Sequence, residues 1–260
     1  MSTATMTTTP AGRLRALARA ELTLLGRSKG VLFSAVFVPL VLPFSAGMAL
    51  DEESLKGTGL SIGVVVLSGA MGFSLLFAVY SALVSVYAAR REELVLKRLR
   101  TGELRDAEIL TGAALPSVAI GLIQCVVLAV ACTLVLDVGA PEAPHYAVLG
   151  LLAGIPLCVV LAAVTTVFSR SVESAQVAAM PMLLVSMLGS GTVVPLEVMP
   201  DKLATVCELL PLTPALTLIR GGWSGEPAAS DALGALVTAV AWIILAVFAV
   251  RRWFRWEPRR

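Results

Sequence analysis

The chain has 260 residues, of which 57% are hydrophobic and 15% are charged, and its mean hydropathy is +0.88. Soluble domains carry about 25% charged residues, and a globule of this length cannot hide so many apolar side chains from water. The composition therefore argues against a disordered chain, a disulfide-stapled secreted domain, a nucleic-acid binder and a typical cytosolic enzyme. It favours a protein that is dissolved in the lipid bilayer.

Uncharged stretches of the sequence predict the transmembrane segments. Six windows of 19 to 33 residues lack Asp, Glu, Lys and Arg. A helix needs about 20 apolar residues to cross the hydrocarbon layer, and backbone groups in lipid must bond internally, so each window predicts one helix. We number these windows spans one to six: residues 30–50, 57–89, 109–136, 143–169, 174–196 and 232–250. The predicted fold class is an all-α membrane protein with six transmembrane helices.

The segments outside the spans complete the predicted organisation. Residues 1–10 predict a disordered tail, and 11–28 an amphipathic helix at the membrane interface, because its leucines and arginines fall on opposite faces. Residues 29–250 form the six-span domain, and 251–260 a basic tail. Glu21 points into the apolar face of the interface helix, where it is either solvated or binds a cation from a partner. The long basic beginning argues against a cleavable signal peptide.

The distribution of Lys and Arg predicts the orientation in the membrane. With six spans, 17 of these 20 residues fall on the side that holds both termini, and only Lys56, Lys202 and Arg220 fall on the other. Loops rich in Lys and Arg stay in the cytoplasm. We therefore expect a multi-pass protein of the plasma (inner) membrane with both termini in the cytoplasm.

The chain lacks the residues for catalysis or for energy coupling of its own. Carriers driven by ions or protons usually keep an ionisable group inside the membrane. No span has an Asp, Glu, Lys or Arg, and the single histidine, His145, falls near an outer helix end. No phosphate-binding loop is present, so any ATPase would be a separate polypeptide. Three of the four cysteines lie inside spans and show no metal-binding pattern. We expect no catalytic residue, no metal and no cofactor in this chain.

The loop between spans two and three, residues 90–108, is the most informative segment. It predicts a helix that continues span two, supported by Glu93 and Lys97 four residues apart, and a start of the next helix capped by Asp106. Both charge signs and a small apolar ridge lie on this helix. The spacing alone fits a docking surface and a solvated connector equally well.

Two stretches of the sequence resemble permeases of the type-2 ATP-binding-cassette exporter family, which includes drug-resistance and polysaccharide exporters. The first is the loop, through Arg91-Glu92, Lys97-Arg98-Leu99-Arg100 and the helix start at 108–112. The second lies between spans five and six, through residues 195–200, 210–215 and Arg220. With the basic N-terminal helix, the six spans and the length, the resemblance covers nearly the whole chain. In this chain Leu94-Val95 replace a commonly small Gly-Thr pair of the family, and Glu103 replaces a frequent Pro.

The resemblance implies a permease that pairs with a second copy or a sister permease and binds two cytoplasmic ATPase subunits. ATP and Mg would be bound by those subunits. The implied ATPase-docking residues are Glu21, Arg91, Glu92, Lys97, Arg98, Leu99, Arg100 and Glu108. The segment 197–222 would form short re-entrant helices that cap the pathway on the extracellular side. Its implied cap residues are Pro195, Glu197, Pro200, Pro211, Pro214 and Arg220.

Span two has two adjacent stripes at helical spacing, one aromatic and one of small polar residues. Beside a cavity they would suit an amphipathic or lipid-like substrate such as a drug, antibiotic, lipid or peptide, but such stripes also serve helix packing. The candidate path residues are Phe73, Phe77, Tyr80, Ser74, Ser81 and Ser85 in span two, with Met180, Leu184 and Met187 in span five. The favoured function is the permease subunit of an ATP-driven exporter; the alternative is a passive channel or secondary carrier not coupled to ATP.

Overall fold

The computed structural model describes residues 41, 45, 55, 59–101, 105–225, 229–254 and 256. The predicted tail, the interface helix with Glu21, span one except for residues 41 and 45, and half of the basic tail lie outside these residues. Throughout the described part, the regular secondary structure is helical and includes no strand. The predicted all-α fold class is confirmed.

Five helices are long and apolar enough to cross a membrane, and they coincide with predicted spans two to six. Their bounds are Ile62–Glu92, Asp106–Val135, Pro144–Val167, Val172–Gly189 and Ala229–Trp253. Two further helices, Asp201–Glu208 and Thr213–Ser224, lie between spans five and six and bend by 105° relative to each other. We call them the first and second cap helices. This bend is the geometry of a broken span or a re-entrant segment.

Span two lies at the centre of the packing. In its most apolar stretch 89% of the residues are buried, against 11% in span six. It contacts spans three, four and five and the second cap helix, while span four packs on the second cap helix and on span six. Small residues allow close approach: a Cβ added to Gly150 of span four would lie 2.6 Å from the carbonyl oxygen of Ala215.

The middle of span two is a π-helix. Residues Ile62–Ser74 and Ala82–Glu92 are α-helical, and Leu75–Ser81 between them is π-helical. The N–H of Ala82 bonds to the carbonyl of Phe77, five residues earlier. Since a π-turn holds more residues than an α-turn, it rotates the side chains that follow away from the faces predicted with α-helical spacing.

The structure corrects the predicted course of the loop 90–108. Span two ends at Glu92, Leu94 adopts a left-handed conformation with φ 58°, and a separate helix follows at Val95–Arg100. We call this the loop helix. The break explains why Glu93 lies 3.5 Å from Arg90 rather than pairing with Lys97 along one helix.

The predicted cap of span three is also corrected. Asp106 is the first residue of that helix rather than its cap. The residue before it, Arg105, donates its backbone N–H to Glu108 Oε2 at 2.9 Å.

Candidate functional site

Arg91 fixes the end of span two to the end of span four. Its guanidinium is 2% exposed and donates to the carbonyl of Thr166 at 2.6 Å and to the carbonyl of Ser169 at 2.9 Å. It also donates to the hydroxyl of Ser169 at 2.9 Å. Carbonyls at a helix C-terminus lack intrahelical partners and carry partial negative charge, which a cation compensates. Arg91 is therefore an internal contact of the helix bundle.

Glu92 makes the complementary contact with span five. Its Oε1 accepts the backbone N–H of Val172, the first residue of that helix, at 3.0 Å. A carboxylate at a helix N-terminus compensates the partial positive charge there. Two adjacent residues thus bind the two ends of the turn 168–171. These contacts connect the end of span two, directly before the loop helix, to spans four and five.

The loop helix itself presents cations to its surroundings. Leu96 is 1% exposed and anchors the helix, whereas Lys97, Arg98 and Arg100 are exposed. Arg100 Nε donates to Asp106 Oδ1 at 3.1 Å, which ties the loop helix to the start of span three.

The described docking residues implied by the resemblance therefore separate into three groups. Glu92, Lys97, Arg98 and Arg100 are exposed, Leu99 and Glu108 are partly buried, and Arg91 is buried.

Arg220 organises the opposite end of the bundle. It is 4% exposed, and its Nη1 donates to both carboxylate oxygens of Glu197, at 3.0 and 2.8 Å. Its Nη2 donates to the carbonyl of Gly191 at 2.7 Å, and its Nε lies 3.4 Å from the hydroxyl of Ser68 in span two. The guanidinium thus joins three elements: the second cap helix that carries it, the segment that follows span five, and span two. Two cap residues named separately from the sequence are thus one ion pair.

The prolines of the same segment mark where its helices begin. Pro195 and Pro200 immediately precede the short helix Leu196–Val198 and the first cap helix. Pro214 lies in the first turn of the second cap helix, and Pro211 is buried in the turn before it. The fixed φ of proline suits these starts, and its missing N–H removes no helical hydrogen bond there.

The candidate path residues do not form one continuous face. Phe73, Ser74 and Tyr80 are buried in the described fold. The hydroxyl of Ser74 donates to Gln124 Oε1 at 3.1 Å, and the Tyr80 hydroxyl lies 2.9 Å from Thr165 Oγ1. Ser74 and Tyr80 therefore join span two to spans three and four.

A second group of path residues remains partly accessible. Phe77, Ser81 and Ser85 are partly exposed, and Phe77 stacks on Phe73 with ring centroids 5.9 Å apart. Gln176 of span five donates to the Ser81 carbonyl at 3.3 Å and to the Ser85 hydroxyl. This polar contact joins spans two and five. In span five, Met180 and Leu184 are 51% and 54% exposed and Met187 is partly buried.

Comparison with known protein families decides the class of the protein. Residues 12–223 match the family described as ABC-2 type transporter. The chain belongs to the ABC-2 type transporter family. The comparison with curated proteins gave no match. The resemblance proposed from the loop and from the segment after span five is confirmed, and the chain is a membrane component of the permease type.

The match to the ABC-2 type transporter family includes residues from both ends of the bundle. The matched range includes the loop 90–108 and the cap segment, and it ends at Trp223, before span six. The ABC-2 chain also has polar partners that the motifs did not reveal: Gln124, Thr165, Thr166, Ser169 and Gln176. A glutamine inside an apolar helix normally bonds to a neighbouring helix, so Gln124 and Gln176 could have been found from that signal.

Proposed function

We propose that this ABC-2 chain is the transmembrane permease subunit of an ATP-driven exporter. A separate cytoplasmic subunit binds ATP and Mg and hydrolyses the ATP. A second permease copy or a sister permease completes the pathway. The substrate is amphipathic or lipid-like and leaves from the cytoplasm or the inner leaflet. The 17 to 3 division of Lys and Arg supports an inner-membrane location with both termini in the cytoplasm.

The attachment of the loop helix is the observation that supports this proposal best. Arg91 and Glu92 bind the two ends of the turn between spans four and five, directly before the helix that presents Lys97 and Arg98. A soluble subunit that binds those cations could move the helix, and the two contacts would transmit that movement into the membrane. A solvated connector would not need such an attachment.

The docking part of the proposal is tested by charge reversal. We expect the tagged permease, solubilised in mild detergent from its native host, to retain an ATPase subunit recognisable by its phosphate-binding loop. The double substitution Lys97→Glu and Arg98→Glu should lower the retained ATPase at least tenfold without changing the permease yield. Lys202→Glu, an exposed cation of the first cap helix, is the matched control. Equal retention by all three proteins would contradict docking on the loop helix.

Coupling to ATP is tested in proteoliposomes that contain the copurified complex. We expect movement of a fluorescent amphipathic dye out of the cytoplasmic-facing leaflet only when the ATP can be hydrolysed. Equal movement with a non-hydrolysable analogue would instead support the passive channel or carrier. Ser81→Phe and Ser85→Phe should reduce transport if the accessible face of spans two and five lines the path. Ala241→Phe, at an exposed position of span six, serves as the control.

A further inference from the structure

A cavity of about 570 Å³ lies beside the loop helix, outside the accessible face of spans two and five. Its walls come from span four, the beginning of span three and the last turns of span six. Pockets for small molecules have volumes of about 300–1,000 Å³, so the space suffices for a polar head and part of an apolar chain. The rim of the cavity is charged, and its inner wall is apolar.

The rim of the cavity is cationic. Arg100 of the loop helix, Arg105 before span three and Arg251 in the last turn of span six contribute to it, with Asp106 as its one acidic residue among those described. Asp106 already accepts the Arg100 Nε at 3.1 Å, and in the described part of the chain neither Arg105 nor Arg251 has an ion-pair partner. Three arginines against one aspartate leave a formal excess of two positive charges. Guanidinium groups in this arrangement suit a phosphate, which accepts several N–H donors at once.

The wall of the cavity is apolar and extends toward the middle of the bundle. Val159 of span four lies eight residues before the end of that helix, and Val247 of span six lies six residues before its end. At about 1.5 Å per residue, the apolar wall reaches roughly 9–12 Å below the helix ends. A free inorganic anion would leave this wall empty. The cavity therefore fits a ligand that has an anionic head and a long apolar body.

Aromatic residues support a location at the level of lipid headgroups. Trp256 lines the cavity, and the Arg100 guanidinium lies 5.0 Å from its ring centroid. Phe254, also in the wall, stacks edge-on against Trp256 with centroids 5.1 Å apart. Tryptophan at a helix end, next to arginines, is typical of the boundary between hydrocarbon and headgroups. The rim thus lies where the phosphate of a membrane lipid lies.

We propose that this cavity is a binding site for an anionic membrane phospholipid. The lipid phosphate contacts Arg100, Arg105 and Arg251, and an acyl chain lies along Val159 and Val247. Because Arg100 belongs to the loop helix and Arg251 to span six, the bound lipid bridges these two elements. The site is separate from the proposed transport path and does not depend on the identity of the exported substrate.

The experiment measures lipid binding to the purified full-length chain, delipidated in neutral detergent. Native mass spectrometry counts bound lipid, and the midpoint of thermal unfolding reports its effect. The probes are dioleoyl phosphatidylglycerol, dioleoyl phosphatidylcholine and inorganic phosphate. We expect phosphatidylglycerol to bind at least tenfold more tightly than phosphatidylcholine and to raise the unfolding midpoint, and inorganic phosphate to do neither.

Variants test whether the binding occurs in this cavity. Arg105→Gln with Arg251→Gln should weaken phosphatidylglycerol binding at least tenfold, whereas Arg252→Gln, an exposed neighbour outside the cavity, should leave it unchanged. Val247→Phe keeps every charge but fills the wall, and it too should weaken binding; monodispersity on size exclusion shows that each variant folds. The proposal is overturned if Arg252→Gln matches the double variant, if Val247→Phe binds normally, or if phosphatidylcholine binds equally well. Stabilisation by inorganic phosphate equal to that by phosphatidylglycerol would overturn it in favour of a site for free anions.

Discussion

Arg91 and Arg220 are almost completely buried at opposite ends of the bundle, with 2% and 4% exposure, and they are stabilised in different ways. Arg220 pairs with the carboxylate of Glu197, which is itself 38% exposed. Arg91 instead donates to main-chain carbonyls at the end of span four, while its neighbour Glu92 accepts a main-chain N–H at the start of span five. At the cap end the arginine is therefore neutralised by a carboxylate, with the Gly191 carbonyl as a further acceptor. At the loop end Arg91 and Glu92 instead compensate the ends of two helices.

This difference determines how each end responds to change. When its arginine is removed, a carboxylate on an exposed segment can rotate toward the solvent and be hydrated. Carbonyls at the end of a packed helix cannot, because their positions are set by the helix. We therefore expect the loop end to be sensitive to the geometry of the turn 168–171, and the cap end to depend on charge complementarity.

The largest effect should follow from Arg91→Ala. It removes three hydrogen bonds of a buried guanidinium to Thr166 and Ser169. The Thr166 carbonyl keeps the Ser169 hydroxyl as a donor at 2.9 Å, whereas the Ser169 carbonyl loses its charged donor, and together these losses cost roughly 3 kcal/mol. Titration with sodium dodecyl sulfate in mixed micelles, followed by tryptophan fluorescence, measures the free energy of unfolding. Arg98→Ala, on the exposed side of the loop helix, should change it by less than about 0.5 kcal/mol. Equal effects of the two substitutions would contradict the structural role of Arg91.

A smaller effect is expected at the cap end. Arg220→Gln should destabilise the protein by roughly 2 kcal/mol, because it also weakens the bonds to Gly191 and Ser68. Glu197→Gln should cost about 1 kcal/mol, since this carboxylate is partly hydrated. In a double-mutant cycle we expect a coupling energy of about 1 kcal/mol.

The matched control for the cap pair is Lys202→Gln. This residue is an exposed cation on the first cap helix, a few residues from Glu197. The change in the free energy of unfolding caused by Lys202→Gln should add to that caused by Glu197→Gln to within about 0.3–0.5 kcal/mol. Additive behaviour of Arg220 and Glu197 as well would show that the two side chains do not stabilise each other, and the contrast between the two ends would disappear.

Features that depend on residues close together in the sequence could be predicted from it. Spans two to six follow from local hydropathy, and the family follows from short motifs in the loop and the cap segment. The burial of Arg91 could not be predicted in this way, because its partners lie 75 and 78 residues further along the chain. Glu92 likewise binds a residue 80 positions away. The loop motif identified Arg91 and Glu92 as candidate functional residues, but it did not predict which residues they contact.

The stripe of candidate path residues shows a second limit. Its members were aligned with α-helical spacing, and the π-helical segment Leu75–Ser81 changes that spacing in the middle of span two. Tyr80 is consequently buried against Thr165, while Phe77 keeps partial exposure. No proline or cluster of glycines in this segment signals the change. Tertiary polar contacts, those of Ser74 and of Gln176, lie on its two sides.

The smallest expected effect concerns the break between span two and the loop helix, and its sign is opposite to the others. The family commonly has a small residue where this chain has Leu94, and the structure places Leu94 in the left-handed region with φ 58°. An L-residue other than glycine pays about 1–2 kcal/mol for this conformation, and the side chain is 38% exposed, so little packing is lost with it. The greater backbone freedom of glycine in the unfolded chain offsets part of that strain.

Leu94→Gly should therefore stabilise the protein by about 0.5–1 kcal/mol in the same detergent titration. Arg98→Gly, at an equally exposed position with ordinary helical geometry, should instead destabilise it by about 1 kcal/mol. Opposite signs would establish that the strain lies at the junction between span two and the loop helix. Destabilisation by both substitutions would mean that Leu94 contributes packing that outweighs its strain, and the loop end would then rely on side chains as the cap end does.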